Sequence, residues 1–272
     1  DNPWDEAALE ITGMGPSIRF DEDGIFAIAG ADFSAMLNGI PLRNNAAYLA
    51  HQGDLLEMGA AKNGFRAYIS ISGGFDIPKV MESRSTCLSA GFGGFEGRAL
   101  KTGDRIGFRS PQLWLRNLTD RRCNSFYHEN APVQVVLGPQ QDAFSEAGIE
   151  AFFHAEYKLS SQCDRMGCRL EGAEISLKEG KSPNILSDGI VMGSIQVPNG
   201  QPIVMMADRQ TTGGYAKLGT VASCALPLMA QKRPGDTVCF EQVSVEEAQK
   251  LRRRLVRKLK NLEQELNFAG RW

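Results

Sequence analysis

Hydrophobic and polar positions along this chain fall into short β-branched or alternating runs, too short for helices and interrupted by glycine-containing turns. These runs predict strands at Ser17 to Phe20, Ile25 to Ala29, Asp54 to Met58, Arg66 to Ile71, Val133 to Leu137, Ile203 to Ala207 and Thr237 to Gln242. Asp23-Gly24, Asn38-Gly39, Asn63-Gly64, Asn199-Gly200 and Pro234-Gly235 signal turns, because such residues bend the backbone with little strain. Only the last segment changes period. Ser244-x-x-Glu247 is a capping box, and Leu251, Leu255, Leu259, Leu262 and Leu266 recur at steps of three or four. This predicts a helix over 244–268 whose apolar stripe packs on the body or on a partner.

Residues 111–130 are polar and irregular, with Arg116, Arg121 and Arg122 among Asn and Thr. The expected division is a β-rich half over 1–115, a linker over 116–131, a second β half over 132–243 and the helix.

Composition narrows the class. The chain has 272 residues, 42% of them hydrophobic and 23% charged, as a soluble globular protein has. Lys plus Arg number 30 against 32 Asp plus Glu, so no general attraction to nucleic acid or anionic lipid is expected. The helix face carrying Arg252, Arg253, Arg254, Arg257, Lys258 and Lys260 reads as solvated. No apolar run approaches the ~20 residues of a membrane span. Six scattered cysteines without a Cys-x-x-Cys pair suit reduced thiols and a cytoplasmic home. Cys163, Cys168 and His154 lack the usual zinc spacing, and no structural metal is expected. His51, His128 and His154 are isolated, and Gly-x-Ser-x-Gly, the phosphate loop and His-Glu-x-x-His are all missing from the sequence.

Three segments could carry chemistry. In the first, Ser187-Asp188-Gly189 and Asp208-Arg209-Gln210-Thr211-Thr212-Gly213-Gly214-Tyr215 end apolar runs in polar loops. Gln210, Thr211 and Thr212 offer an amide and two hydroxyls, while Gly189, Gly213 and Gly214 let backbone come close to a carboxylate, amide or phosphate. A turn satisfying its own backbone reads equally well. Acid–base work would fall to Asp188 or Asp208. In the second, Arg165 and Arg169 either grip an anion or form internal ion pairs. In the third, Ser83-Arg84-Ser85-Thr86 places Arg84 and Ser85 in an anion site or in loop hydrogen bonds.

Taken together, Ala8-Leu9-Glu10-Ile11-Thr12, Gly30-Ala31-Asp32, Arg66-Ala67-Tyr68, Gly73-Gly74, Ser83-Arg84-Ser85-Thr86, Gly138-Pro139-Gln140, Asp164-Arg165-Met166-Gly167, Ser187-Asp188-Gly189 and Asp208 to Tyr215 are specific. The chain resembles the family of allophanate hydrolase subunit 2, KipA-like proteins, biotin-dependent carboxyltransferase domains and the C-type subunit of 5-oxoprolinase. The resemblance implies a mostly β, cyclophilin-like barrel architecture and a KipI-like partner of the B type, with an A-type protein as a further component. Family members begin several tens of residues earlier, so the first half is expected to lack the family's extreme N-terminus. Cys163 and Cys168 stand where family members more often carry Ser and Tyr.

The resemblance implies three functions. The first is one component of an ATP-dependent enzyme opening the 5-oxoproline lactam to glutamate, with ATP and Mg held at the level of the complex. The second is a carboxyltransferase component acting on urea or another amide, for which biotin would come from another polypeptide. The third is a non-catalytic regulator that binds a KipI-like kinase inhibitor. None of them calls for nucleic acid or a membrane.

Overall fold

A computed structural model of the chain describes residues 2–109, 113–115, 117–124 and 131–268. Arg116, His128 and the linker residues 125–130 lie outside the described residues. The chain forms two compact units, one of residues 1–126 with 261–272 and one of residues 127–260.

In the first unit, the strands Leu9–Thr12, Asn63–Ile71, Gly24–Asp32 and Ala46–Ala50 make one antiparallel sheet in that order. A second sheet runs Ser17–Arg19, Leu55–Glu57, Met36–Leu37, Ile40–Pro41. Phe26, Ile28, Phe33, Leu56 and Ala67 fill its core. The runs expected at Ile25 and Arg66 both extend further, to Gly24–Asp32 and Asn63–Ile71. Their ladder slips between Gly30 and Asp32. Gly30 has a φ of 119°, and a Cβ there would sit 2.5 Å from the Arg66 carbonyl oxygen, so this crossing requires glycine. The described part of the expected linker is tied to this unit: Ala47 N donates to Arg121 O and Cys123 N to Asn45 O.

The second unit is an eight-stranded sheet in the order Thr237–Val238, Tyr157–Cys163, Gly167–Glu171, Ile203–Met205, Ser194–Gln196, Lys217–Val221, Val133–Leu137, Phe240–Gln242. The run expected as one strand from Thr237 to Gln242 is two, broken at Cys239. Val238 pairs with Tyr157 at one edge and Phe240 with Val133 at the other. One six-residue segment therefore joins both edges, and the sheet nearly closes into a barrel. The helix Glu146–His154, capped by the Ser145 hydroxyl accepting from Gly148 N at 2.9 Å, buries Phe152 against Phe240 and Tyr157. Val135, Leu159, Leu170, Ile195 and Leu218 complete the core.

The strand expected to reach Ala207 stops at Met205, because Met206 and Ala207 turn to meet the 164–167 turn, where Met206 N donates to Met166 O. The helix runs Val245–Phe268, and the Ser244 hydroxyl accepts from Glu247 N at 3.1 Å as the capping box predicts. No helix among the described residues is long and apolar enough to cross a membrane.

Candidate functional site

The segment expected as a loop from Asp208 to Tyr215 is half strand. Thr212–Tyr215 pairs with Asn184–Gly189 in a two-stranded ribbon. Asp188 lies opposite Gly213 and Gly189 opposite Thr212, so pairing brings the Ser187-Asp188-Gly189 and Thr212-Gly213-Gly214 segments together. Gly213 answers to packing: a Cβ there would come within 2.5 Å of Ile190 Cδ1 and 2.7 Å of Gln196 Nε2. Gly214 has room for a methyl, its nearest neighbour being Ile185 O at 3.5 Å. Gln210, Thr211, Thr212 and Tyr215 are exposed, and Thr211 O accepts from Ile190 N.

Asp188 is 57% exposed at the side chain, yet its partner is an almost wholly buried lysine. Lys217 Nζ donates to Asp188 Oδ2 at 2.9 Å and is 3% exposed. The hydrogen bond from Lys217, followed by that from Gly189 N and the Lys217 charge, lowers the Asp188 pKa from the ordinary carboxylate value. Gln140 braces both residues. Its Oε1 accepts from Lys217 N at 3.1 Å, its own N donates to Lys217 O, and its side chain adds a small lowering effect on the Asp188 pKa. Gln196 is the register partner of Lys217, and its Nε2 donates to Tyr215 O at 3.4 Å.

Asp208 is held differently. Arg165 grips it with two bonds, Nε to Oδ2 at 2.8 Å and Nη2 to Oδ1 at 3.1 Å, while Asp208 N donates to Arg165 O. Asp208 and Arg165 are thus each other's partner. Arg209 follows them and points its guanidinium at carbonyls: Nε to Ile190 O, Nη1 to Met206 O and Ala207 O, at 3.2 to 3.4 Å. Among the described residues no carboxylate pairs with it.

The remaining expected residues lie elsewhere. Arg169 is exposed on a barrel strand, in register with Ile203. Arg84 and Ser85 belong to the first unit. There Arg84 Nε lies 3.2 Å from the buried Glu6 carboxylate, and its Nη1 donates to Ile77 O. Glu6 also binds Arg109, and Gly74 makes room for it, since a Cβ at Gly74 would overlap Glu6 Cδ. Ser85 N donates to the Ser83 hydroxyl. Arg84 and Ser85 therefore serve internal bonds.

Lys217, Gln140, Gln196 and Arg209 are the groups that sequence reasoning missed. A cation between wholly buried Ala216 and Leu218 is the signal that could have found Lys217. Lys217 with Asp188 and Arg165 with Asp208 are thus two ion pairs, and Arg209 follows the second in the chain.

Comparison with known proteins follows the same lines. A family model described as the carboxyltransferase domain, subdomain A and B, matches residues 1–242. The 5-oxoprolinase C subunit of Haemophilus influenzae is 36% identical over 248 residues, 91% of this chain and 78% of that protein. Its counterpart from Escherichia coli, also a 5-oxoprolinase C subunit, is 36% identical over 252 residues, covering 92% and 80%. Among solved structures, the K. lactis urea amidolyase superposes with a TM-score of 0.85 and 29% identity over 94% of this chain, which spans 17% of that larger one.

Proposed function

The chain belongs to the carboxyltransferase-domain family that comprises subdomains A and B, and on that premise we propose that it is the C-type subunit of an ATP-dependent enzyme opening 5-oxoproline to glutamate. The observation that carries this reading is that the match to two bacterial 5-oxoprolinase C subunits spans most of both proteins. In the proposed complex a KipI-like protein of the B type is the immediate partner and an A-type protein a further component. ATP and Mg would be held at the level of the complex.

5-Oxoproline carries one carboxylate and one lactam amide. Arg209, whose guanidinium has no carboxylate partner among the described residues, would bind the carboxylate. Lys217 would stabilise negative charge growing on the lactam oxygen, and Asp188, its acidity raised by Lys217, would orient the attacking water. Asp208 would position the 206–210 segment through Arg165 and stay clear of the chemistry. The likeness to urea amidolyase supports a second reading, carboxyl transfer to an amide, with biotin borne by another polypeptide.

The test is coexpression with the A-type and B-type partner proteins and assay of ATP-dependent 5-oxoproline turnover. Arg209→Gln should raise KM about 10- to 100-fold, the worth of a charged hydrogen bond of roughly 1.5–3 kcal/mol. An assembled complex without turnover would sink the reading, and avidin-sensitive carboxyl transfer would favour the second.

A further inference from the structure

Cys163 and Cys168 face one another across the hairpin formed by Tyr157–Cys163 and Gly167–Glu171, as direct register partners. Asp164 N donates to Gly167 O at 3.2 Å, closing the turn. Pairs alternate along an antiparallel ladder, so the next pair outward, Cys163 with Cys168, is of the non-hydrogen-bonded kind. In such pairs the Cα atoms approach to about 4.5 Å. That spacing lies within the ~4.4–6.8 Å that a disulfide spans. Both residues stand as thiols in the structure. Cys163 is partly exposed, and Cys168 is 2% exposed. Cys163, whose Sγ donates to Arg169 O at 3.6 Å, is therefore the member of the pair nearer to solvent.

We propose that Cys163 and Cys168 form an oxidative modification site, which closes into a cross-strand disulfide on exposure to a peroxide. The Cys163 thiolate attacks one oxygen of hydrogen peroxide, breaking the O–O bond, releasing hydroxide and leaving Cys163 as a sulfenic acid. The Cys168 sulfur then attacks the Cys163 sulfur, the S–O bond breaks, and the oxygen departs as water with the Cys168 proton. Two thiols and one peroxide give one disulfide and two waters. The turn thus clamped, Asp164 to Gly167, carries Arg165, which holds Asp208, and Met166, whose carbonyl accepts from Met206 N. Oxidation would fasten this turn to its own hairpin at the point where it supports the 206–208 segment.

The sequence supplies a direct test. Trypsin cuts after Lys158, Arg165 and Arg169, so the peptides Leu159–Arg165 and Met166–Arg169 separate unless a disulfide joins them. The reduced full chain is treated with an equimolar amount of hydrogen peroxide, alkylated with N-ethylmaleimide and digested. The two peptides should be recovered as one species, two hydrogens lighter than their sum, and alkylatable thiols in the denatured chain should fall from six to four, six less the pair. Under the same treatment Cys163→Ser should retain its five thiols, whereas Cys168→Ser should fall from five to four, its Cys163 stopping at the sulfenic acid. Cys163→Ser, at the partly exposed position, serves if the buried substitution does not fold. Separate alkylated peptides, sulfinic acid at Cys163, or linkage of either residue to Cys87, Cys123, Cys224 or Cys239 would overturn the proposal.

Discussion

Replacing Lys217 by methionine separates support of the fold from chemistry. Lys217 is 3% exposed, so its four-carbon stem already packs as an apolar side chain, and methionine fills nearly the same volume. What the substitution removes is an ammonium that lost its hydration on folding and met one carboxylate in return. Exchanging a buried ionic group for an apolar one of similar size is often neutral or stabilising by about 1–4 kcal/mol. Asp188 is 57% exposed and recovers water once alone, so no large penalty opposes that gain. We expect Lys217→Met to lie between no change and a gain of about 2 kcal/mol, a Tm rise of up to roughly 5 °C. Asp188→Asn should be the more damaging partner, because it strands the buried ammonium. Turnover of the assembled enzyme should nonetheless fall at least ~10²-fold in Lys217→Met, the usual loss for one well-placed electrostatic group. Calorimetry and the ATP-dependent assay read the two quantities independently. A variant that loses more than about 2 kcal/mol of stability, or that turns over normally, would show that Lys217 only pins the ribbon to the barrel.

Other expectations concern single groups. Hydrogen bonds from Arg98, then from Lys101 N, hold the Asp104 carboxyl at about 2. Carbon NMR should find it half protonated there, with its stabilising effect complete above the unfolded value near 3.8 and lost as pH falls toward 2. Arg98→Gln should return the midpoint toward 3.8. Burial pushes the Tyr157 hydroxyl up to about 12, above the ~10 of a free tyrosine. A raised folded value means its contribution to stability is full below about pH 10 and fades between 10 and 12, which ultraviolet titration beside alkaline unfolding would check. Tyr157→Phe should cost about 1–3 kcal/mol in denaturant melts by leaving Ala173 O without its 2.9 Å donor. Gly148→Ala improves helix propensity by about 1 kcal/mol yet should destabilise by a similar amount or more in the same melts, since its Cβ would sit 2.5 Å from Ser176 O.

Strands that are compact apolar, β-branched runs beside turn signals, such as Val133–Leu137 and the middle of Gly24–Asp32, were legible in the sequence. Tyr157–Cys163 was not, because Lys158, Ser160, Ser161 and Gln162 blur its apolar face, and its place depends on Val238 and Leu170, distant in the chain. The segments around Asp188 and Asp208 stood out by their residue types, and the structure does bring Asp188, Gly189, Thr212 and Gly213 together. Composition could not say that Asp208 belongs to Arg165 and Asp188 to Lys217, because each partner lies 29 or 43 residues away. Arg84 shows the converse: its hydroxyl-rich neighbours suggested a ligand, while its actual counter-charge, Glu6, sits in an unremarked turn.

The six residues from Thr237 to Gln242 have a bearing on how the barrel is made in time. Until they are synthesised, the strands at Tyr157 and Val133 both present bare ladders of N–H and C=O groups, the kind of surface on which chains stick to one another. The two exposures cannot be cured separately, because the same stretch of chain covers both. A chain that stopped between Val221 and Thr237 would therefore be left with two adhesive edges. In a growing polypeptide, the roughly one hundred residues that precede the seam wait for it before the unit can shut, which makes closure a late and all-at-once event in its biosynthesis.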